Sequence, residues 1–252
     1  MSGAAPTGRG DRDAGSAQPS AARSPNVSEG GLLGGGVSID ELVLADQPER
    51  WSALGFLVRD GVCQLGSVRV RLAGDGPQKG ILSWSLRGLR GDAVELDGLP
   101  TTRSQGAPPP PGGAHPNGVL ALDHVVVVTP ALDRTVEALE SGGMRLRRIR
   151  EQPTPAGAPR QAFFRLGEEI LEVVQEPQAV VERDGGPDRP ARLWGLALTV
   201  EDLDRAAEQM SPHLGDARAA VQPGRRIATL RRSAGLSVPI ALMTPAPERK
   251  RS

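Results

Sequence analysis

Residues 121–139 (ALDHVVVVTPALDRTVEAL) and residues 192–210 (RLWGLALTVEDLDRAAEQM) share one pattern, an apolar run followed at once by a helical one. Leu132-Asp133-Arg134 in the first recurs as Leu203-Asp204-Arg205 in the second. A chain that repeats a strand–helix unit must pair its copies, because each copy alone leaves an apolar face open. Thr129 and Pro130 predict an N-cap followed by a first-turn proline. Leu132, Val136 and Leu139 stand at i, i+4 and i+7, as do Leu203, Ala207 and Met210, and Gly142 and Gly143 end the first helix. Three short strand-like runs follow at 144–149 (MRLRRI), 161–166 (QAFFRL) and 169–174 (EILEVV). The second copy continues with 225–231 and 236–244, so each copy reads as β-α-β-β-β.

The N-terminal part carries a shortened copy. Residues 38–45 match 121–128, with Ile39-Asp40-Glu41 on Leu122-Asp123-His124, and residues 65–72 match 166–173. Residues 80–86 resemble 190–196, with Trp84 on Trp194, and no full fourth unit follows. Glycine and proline cluster outside these copies. Residues 1–36 and 246–252 are expected to be disordered tails. Residues 103–118, with Pro108 to Pro111, are expected to form a stiff linker. That leaves a shortened module at 37–102 and a paired domain at 119–245, the latter expected to fold by itself.

Composition excludes several classes. Lys plus Arg equals Asp plus Glu at 30 each, and only three Trp, three Phe and no Tyr are present. Neither a bulk positive charge nor a base-stacking platform for nucleic acid can be built from these. Cys63 is the only cysteine, which excludes a disulfide framework and multi-cysteine metal clusters and fits a reducing, cytoplasmic setting. No apolar run approaches the ~20 residues that span a bilayer. The expected partner is a small-molecule ligand, with no nucleic acid and no membrane; a second copy of the chain, giving a homodimer, is left open.

Two polar residues stand where apolar ones are expected. Period-2 alternation puts His124, Val126 and Val128 on one strand face, and Ile170, Glu172 and Val174 on another. A histidine and a glutamate mid-strand are costly to bury unless paired or bound. Imidazole and carboxylate make half of a mixed zinc, iron or manganese site; the alternative is a His–Glu hydrogen bond inside a cavity. His115 is expected to be solvated in the linker, His213 to lie on a loop, and Cys63 to be a small buried residue. Arg145, Arg147, Arg148 and Arg150 read as a solvated strand edge split between faces, or as a holder of carboxylate or phosphate at a cavity mouth.

Paired βαβββ units with an HVVV first strand (124–127) and an ILEVV last strand (170–174) resemble the vicinal oxygen chelate superfamily. That superfamily holds glyoxalase I-type lyases, extradiol dioxygenases, epimerases, fosfomycin-inactivating thiol transferases and bleomycin-resistance binding proteins. The resemblance is most specific from Leu122 to Pro177. It implies an α+β fold whose modules pair into an open, curled β-barrel around a ligand cavity, expected here to be lined by Val126, Val128, Phe164, Leu196 and Leu198. It also implies one divalent metal (Zn, Ni, Fe or Mn) held by the first and last strands of both units. His124 and Glu172 match two ligand positions, and Glu172 the catalytic carboxylate. The second unit departs from the pattern. The Leu-Asp-Arg alignment puts Gly195 in the place of His124, and 236–244 has no Asp, Glu, His or Cys, so that Ala241 or a near neighbour takes the place of Glu172. In the N-terminal copy the counterparts are Glu41 and Arg71, which predicts a salt bridge. The expected function is binding of a small organic molecule beside a half-retained, weakly occupied metal site. The alternatives are a metal-dependent lyase, isomerase or dioxygenase, and a non-catalytic structural or partner-binding module.

Overall fold

The computed structural model describes residues 36–91, 95–154 and 157–246; the tails expected at 1–36 and 246–252 lie, apart from residues 36 and 246, outside the described residues. Alternation in SIDELVL makes a strand, β1 (Ser38–Leu44), which α1 (Pro48–Ala53) and then β2 (Val58–Arg59), β3 (Val62–Leu65) and β4 (Val68–Leu72) follow as one βαβββ module. The module is short: α1 has six residues and β2 only two. The central module runs β7 (Val119–Thr129), α2 (Leu132–Ser141), β8 (Arg145–Arg150), β9 (Gln161–Leu166) and β10 (Glu169–Gln175), with β5 (Ile81–Arg87) and β6 (Thr101–Arg103) ahead of it. After a short helix, α3 (Gln178–Arg183), the last module is β11 (Arg192–Val200), α4 (Leu203–Gln209), β12 (Arg218–Ala219), β13 (Arg226–Thr229) and β14 (Ile240–Met243).

In every module the first strand pairs in parallel with the last: β1 with β4, β7 with β10, β11 with β14. Parallel neighbours need a long crossover connection, which the helix and the two intervening strands supply. β5 and β6 also pair in parallel, as the first and last strands of a fourth module would, with no helix or strand between them among the described residues. First strands then pair antiparallel across modules, β1 with β5 and β7 with β11. The result is a six-stranded sheet, β2-β3-β4-β1-β5-β6, and an eight-stranded sheet, β12-β13-β14-β11-β7-β10-β9-β8, neither closed. No helix is long and apolar enough to cross a membrane among the described residues.

The helix of each module covers one sheet face. Val125, Val127, Leu171 and Val173 are fully buried, as are Leu132 and Leu139 of α2. α2 begins later than the sequence predicts: its N-cap is Ala131, and Thr129 instead accepts from the Ala131 backbone N–H and bonds to the Thr135 hydroxyl. One apolar cluster joins Leu42 and Trp84 of the first sheet to Val125 and Leu198 of the second. Gly66, at φ +62°, lets the two sheets meet, because a Cβ there would lie 2.9 Å from the Ala121 Cβ.

The segment 104–118 forms no strand or helix but is held along its length. Gln64 Nε2 donates to the Pro110 carbonyl at 2.7 Å, and the Gly112 N–H to Gly66 O at 2.9 Å. His115, expected in solvent, is buried instead. Its Nδ1 accepts from the Leu57 N–H at 3.0 Å and its Nε2 stands 3.0 Å from Gln64 O, an arrangement that a neutral imidazole donating from Nε2 satisfies on both sides. Two backbone partners offset the cost of taking the polar ring out of water, and no local pattern reveals them.

Candidate functional site

Strict alternation would put Asp123 and His124 on opposite faces, yet their side chains meet. The cause is a bulge: Ala197 of β11 faces His124 and Leu198 faces Leu122, which leaves Asp123 as an extra residue. Such a residue bends the strand and re-aims its side chain. Asp123 Oδ1 lies 2.8 Å from His124 Nδ1, and Asp123 Oδ2 accepts from Arg225 at 2.6 Å. Burial pushes the Asp123 carboxyl up, but the hydrogen bonds from His124 and Arg225 outweigh it and bring it down to about 2. An ionised carboxylate can only accept, so His124 donates from Nδ1 and turns Nε2 outward.

β10 supplies the second group. Its register puts Ile170 beside His124 and Glu172 beside Val126, so His124 and Glu172 share a face. His124 Nε2 stands 3.4 Å from Glu172 Oε2, and the other Glu172 oxygen accepts from Gln161 Nε2. Burial raises the Glu172 carboxyl above its usual range, against the opposing pull of His124, Gln161, Arg148 and Arg150. With Nδ1 donating to Asp123, one proton between Nε2 and Glu172 relieves the repulsion of two lone pairs.

On the same face, Phe163 of β9 lies beside Glu172, and Arg148 and Arg150 of β8 lie beside Phe163 and Gln161. The Arg148 guanidinium sits 4.6 Å over the Phe163 ring. Together with Ala220, Val221, Gln222, Ile227 and Met243 these residues enclose a cavity of about 140 Å³. Arg225 ties the far wall down: it donates to Gln222 and the Thr244 carbonyl as well as to Asp123.

The residues expected to line the cavity lie as follows. Phe164, Leu196 and Leu198 belong to the apolar cluster, and Val126 and Val128 share the face of His124 without bordering the cavity. Phe164 pairs with Leu171 and Phe163 with Glu172, so it is Phe163 that shares the face of Glu172. Asp123, Gln161, Gln222 and Arg225 were missed. Only the Leu122-Asp123-His124 match to Ile39-Asp40-Glu41 hinted at Asp123.

Strand register identifies the counterparts of the His–Glu pair. Ala197 pairs with His124 and Gly195 with Val126, the relation expected if Gly195 takes the place of His124. In β14 the residue beside Ala197 is Ala241, at the position of Glu172. A Cβ at Gly195 would lie 3.0 Å from the Pro239 carbonyl oxygen. In the N-terminal module Glu41 and Arg71 hold the two positions and form the expected ion pair, two bonds of 3.1 and 3.0 Å. Asp40 is again the extra residue of a bulge. The match of Trp84 to Trp194 is corrected: the bulge at Trp194 corresponds to Leu82, and Trp84, fully buried, corresponds to Leu196.

An outward Nε2 held by an Asp on the other ring nitrogen is the arrangement a metal-ligating histidine needs. His124 and Glu172 are nonetheless two donors, where zinc sites of either kind keep at least three from the protein. Gly195 and Ala241 offer none, and the described residues contain no group of three His, Cys, Asp or Glu placed to hold a metal. The donor set does not fit a resident metal.

Neither a protein-family model nor a curated protein sequence matches this chain. Solved structures do. An extradiol ring-cleaving dioxygenase from B. fuscum aligns over 85% of this chain and 74% of its own, at 16% identity and TM-score 0.51. A xylose isomerase-like TIM barrel/4-hydroxyphenylpyruvate dioxygenase fusion protein aligns over 85% of this chain and 49% of its own, at 11% identity and TM-score 0.54. Methylmalonyl-CoA epimerase from Mycobacterium tuberculosis covers 54% of this chain and 93% of its own, at 22% identity and TM-score 0.43. With three βαβββ modules, a fourth reduced to two strands, and this likeness, the chain has the fold of the vicinal oxygen chelate superfamily.

Proposed function

We propose that this protein binds a small organic molecule in the cavity at His124 and Glu172, with a metal site reduced to half of its donors. The observation that carries the reading is the pairing of an intact His–Glu couple in the central module with Gly195 and Ala241 at the same positions of the next. The couple faces a cavity with both apolar and polar walls, the usual make-up of a ligand site. At about 140 Å³ it is smaller than the ~300–1,000 Å³ of drug-sized pockets, which points to a compact ligand.

Metal quantitation on the purified protein, followed by ligand screening by thermal shift, tests this. Substoichiometric metal removed by overnight chelation, together with ligand-dependent stabilisation lost in His124→Ala, is the expected result. Zinc, nickel, iron or manganese at full stoichiometry that resists chelation would overturn it and favour a metal-dependent lyase, isomerase or dioxygenase. Full metal loss with no ligand in a broad screen would favour a structural or partner-binding module.

A further inference from the structure

We infer that the mouth of this cavity is an oxyanion site, in which Arg148 and Arg150 take the carboxylate or phosphoryl group of the ligand. The inference rests on the small-molecule reading of the same cavity and adds the chemical class. Arg134, Arg160, Arg189 and Arg225 each hold a carboxylate within 2.8 Å. Arg148 and Arg150 hold none within 4.0 Å among the described residues, although both border the cavity. They are two residues apart on β8 and in register with Phe163 and Gln161, so both guanidinium groups reach the same side of the sheet. The Arg148 guanidinium sits 4.6 Å over the Phe163 ring and makes no side-chain hydrogen bond among the described residues, so its N–H donors are left for an oxyanion.

Charge points the same way. Two guanidinium groups (Arg148, Arg150) line the cavity against one carboxylate (Glu172), while Asp123 and Arg225, outside the lining, match each other. The lining arginines exceed Glu172 by one, before His124 is counted. Where Gly195 and Ala241 have removed metal donors, these arginines supply the positive charge that would hold a ligand's oxygens. The body of the ligand has its own surface. Val221 is 67% exposed, although it lines the cavity, and faces it with Phe163, Ile227 and Met243.

Methyl-labelled NMR with three probes of one shape, benzoate, phenyl phosphate and benzamide, tests the inference. Benzoate or phenyl phosphate should shift the methyls of Val221, Ile227 and Met243, and the tighter of the two identifies the headgroup as carboxylate or phosphoryl. Benzamide should bind the wild-type protein about tenfold more weakly, the worth of one charge-assisted hydrogen bond. Arg148→Gln and Arg150→Gln should each lose about tenfold for the anions with unchanged spectra elsewhere, while Arg145→Gln, outside the cavity, should lose nothing. Benzamide binding as tightly as the anions, or anion affinity unchanged in both Gln variants, would overturn the oxyanion inference and leave the small-molecule reading standing. No methyl shift with any probe would overturn the oxyanion inference, while the small-molecule reading is decided by the broad ligand screen.

Discussion

His115 shows how one residue can be misjudged when its neighbours in sequence are not its neighbours in space. Burial lowers the pKa of its imidazole, against the pull of the Gln64 carbonyl. Above about pH 6.5, the unperturbed value, folded and unfolded chains both carry neutral histidine and the stabilisation is complete. As pH falls below that, the unfolded chain takes up a proton that the folded one resists, and stability is lost through the lowered folded value. His115→Gln should therefore cost about 1–3 kcal/mol at neutral pH and flatten the acid limb of a urea-midpoint profile between pH 6.5 and 5. Cys63 lies beneath the same ring, its Sγ 3.9 Å from Nε2, fully buried. Burial pushes its thiol up to about 12, so native protein should react with a thiol reagent such as DTNB orders of magnitude more slowly than urea-unfolded protein.

Among elements, the bulged first strands carry most of the chemistry. Asp123 leaves the alternation of β7, and through Arg225 it ties the central module to the β12–β13 turn. Arg225 is almost fully buried, so Asp123→Ala leaves its charge there without a counter-ion, with only Gln222 and the Thr244 carbonyl accepting from it. We expect a loss of about 3–5 kcal/mol in urea unfolding and faster amide exchange across 220–225. In β11 the missing ligand is a matter of space as well as identity. Gly195→His would press on the Pro239 carbonyl, and a lower urea midpoint, worth about 1–3 kcal/mol, should follow even with divalent metal present. A variant with unchanged stability and new stoichiometric zinc binding would show that β14 yields easily and that the lost histidine alone kept metal out.

The molecule as a whole is built by pairing modules in twos and then packing the two sheets. The described residues between 36 and 246 form one compact unit, and the bonds between its halves are numerous. Ser67 donates to Glu169 at 2.7 Å, the Ser237 N–H to Asp46 at 2.6 Å, and Asn117 to Leu54 O at 2.9 Å. The repeat pair alone predicts that 119–245 folds by itself; the shared apolar cluster predicts that it does not fold well. A fragment starting near Asn117 should be expanded, bind ANS and show poor methyl dispersion, because Val119, Leu122 and Leu198 would lose part of their cover. A well-dispersed, cooperatively unfolding fragment would restore the two-domain reading.

Periodicity and self-similarity were enough to determine the βαβββ units, the pairing of two of them, the shortened first module, and the positions of His124, Glu172, Gly195, Ala241, Glu41 and Arg71 relative to one another. Those are properties of spacing along one chain, and strand and helix periods convert spacing into faces. Tertiary structure alone decided which phenylalanine borders the cavity, that Asp123 faces His124, that Arg225 closes the far wall, and that His115 is inside. A bulge shifts the alternation by one residue, and a cross-module contact depends on which strands lie side by side. Neither is written in the local pattern, because both arise only when the copies pack against each other.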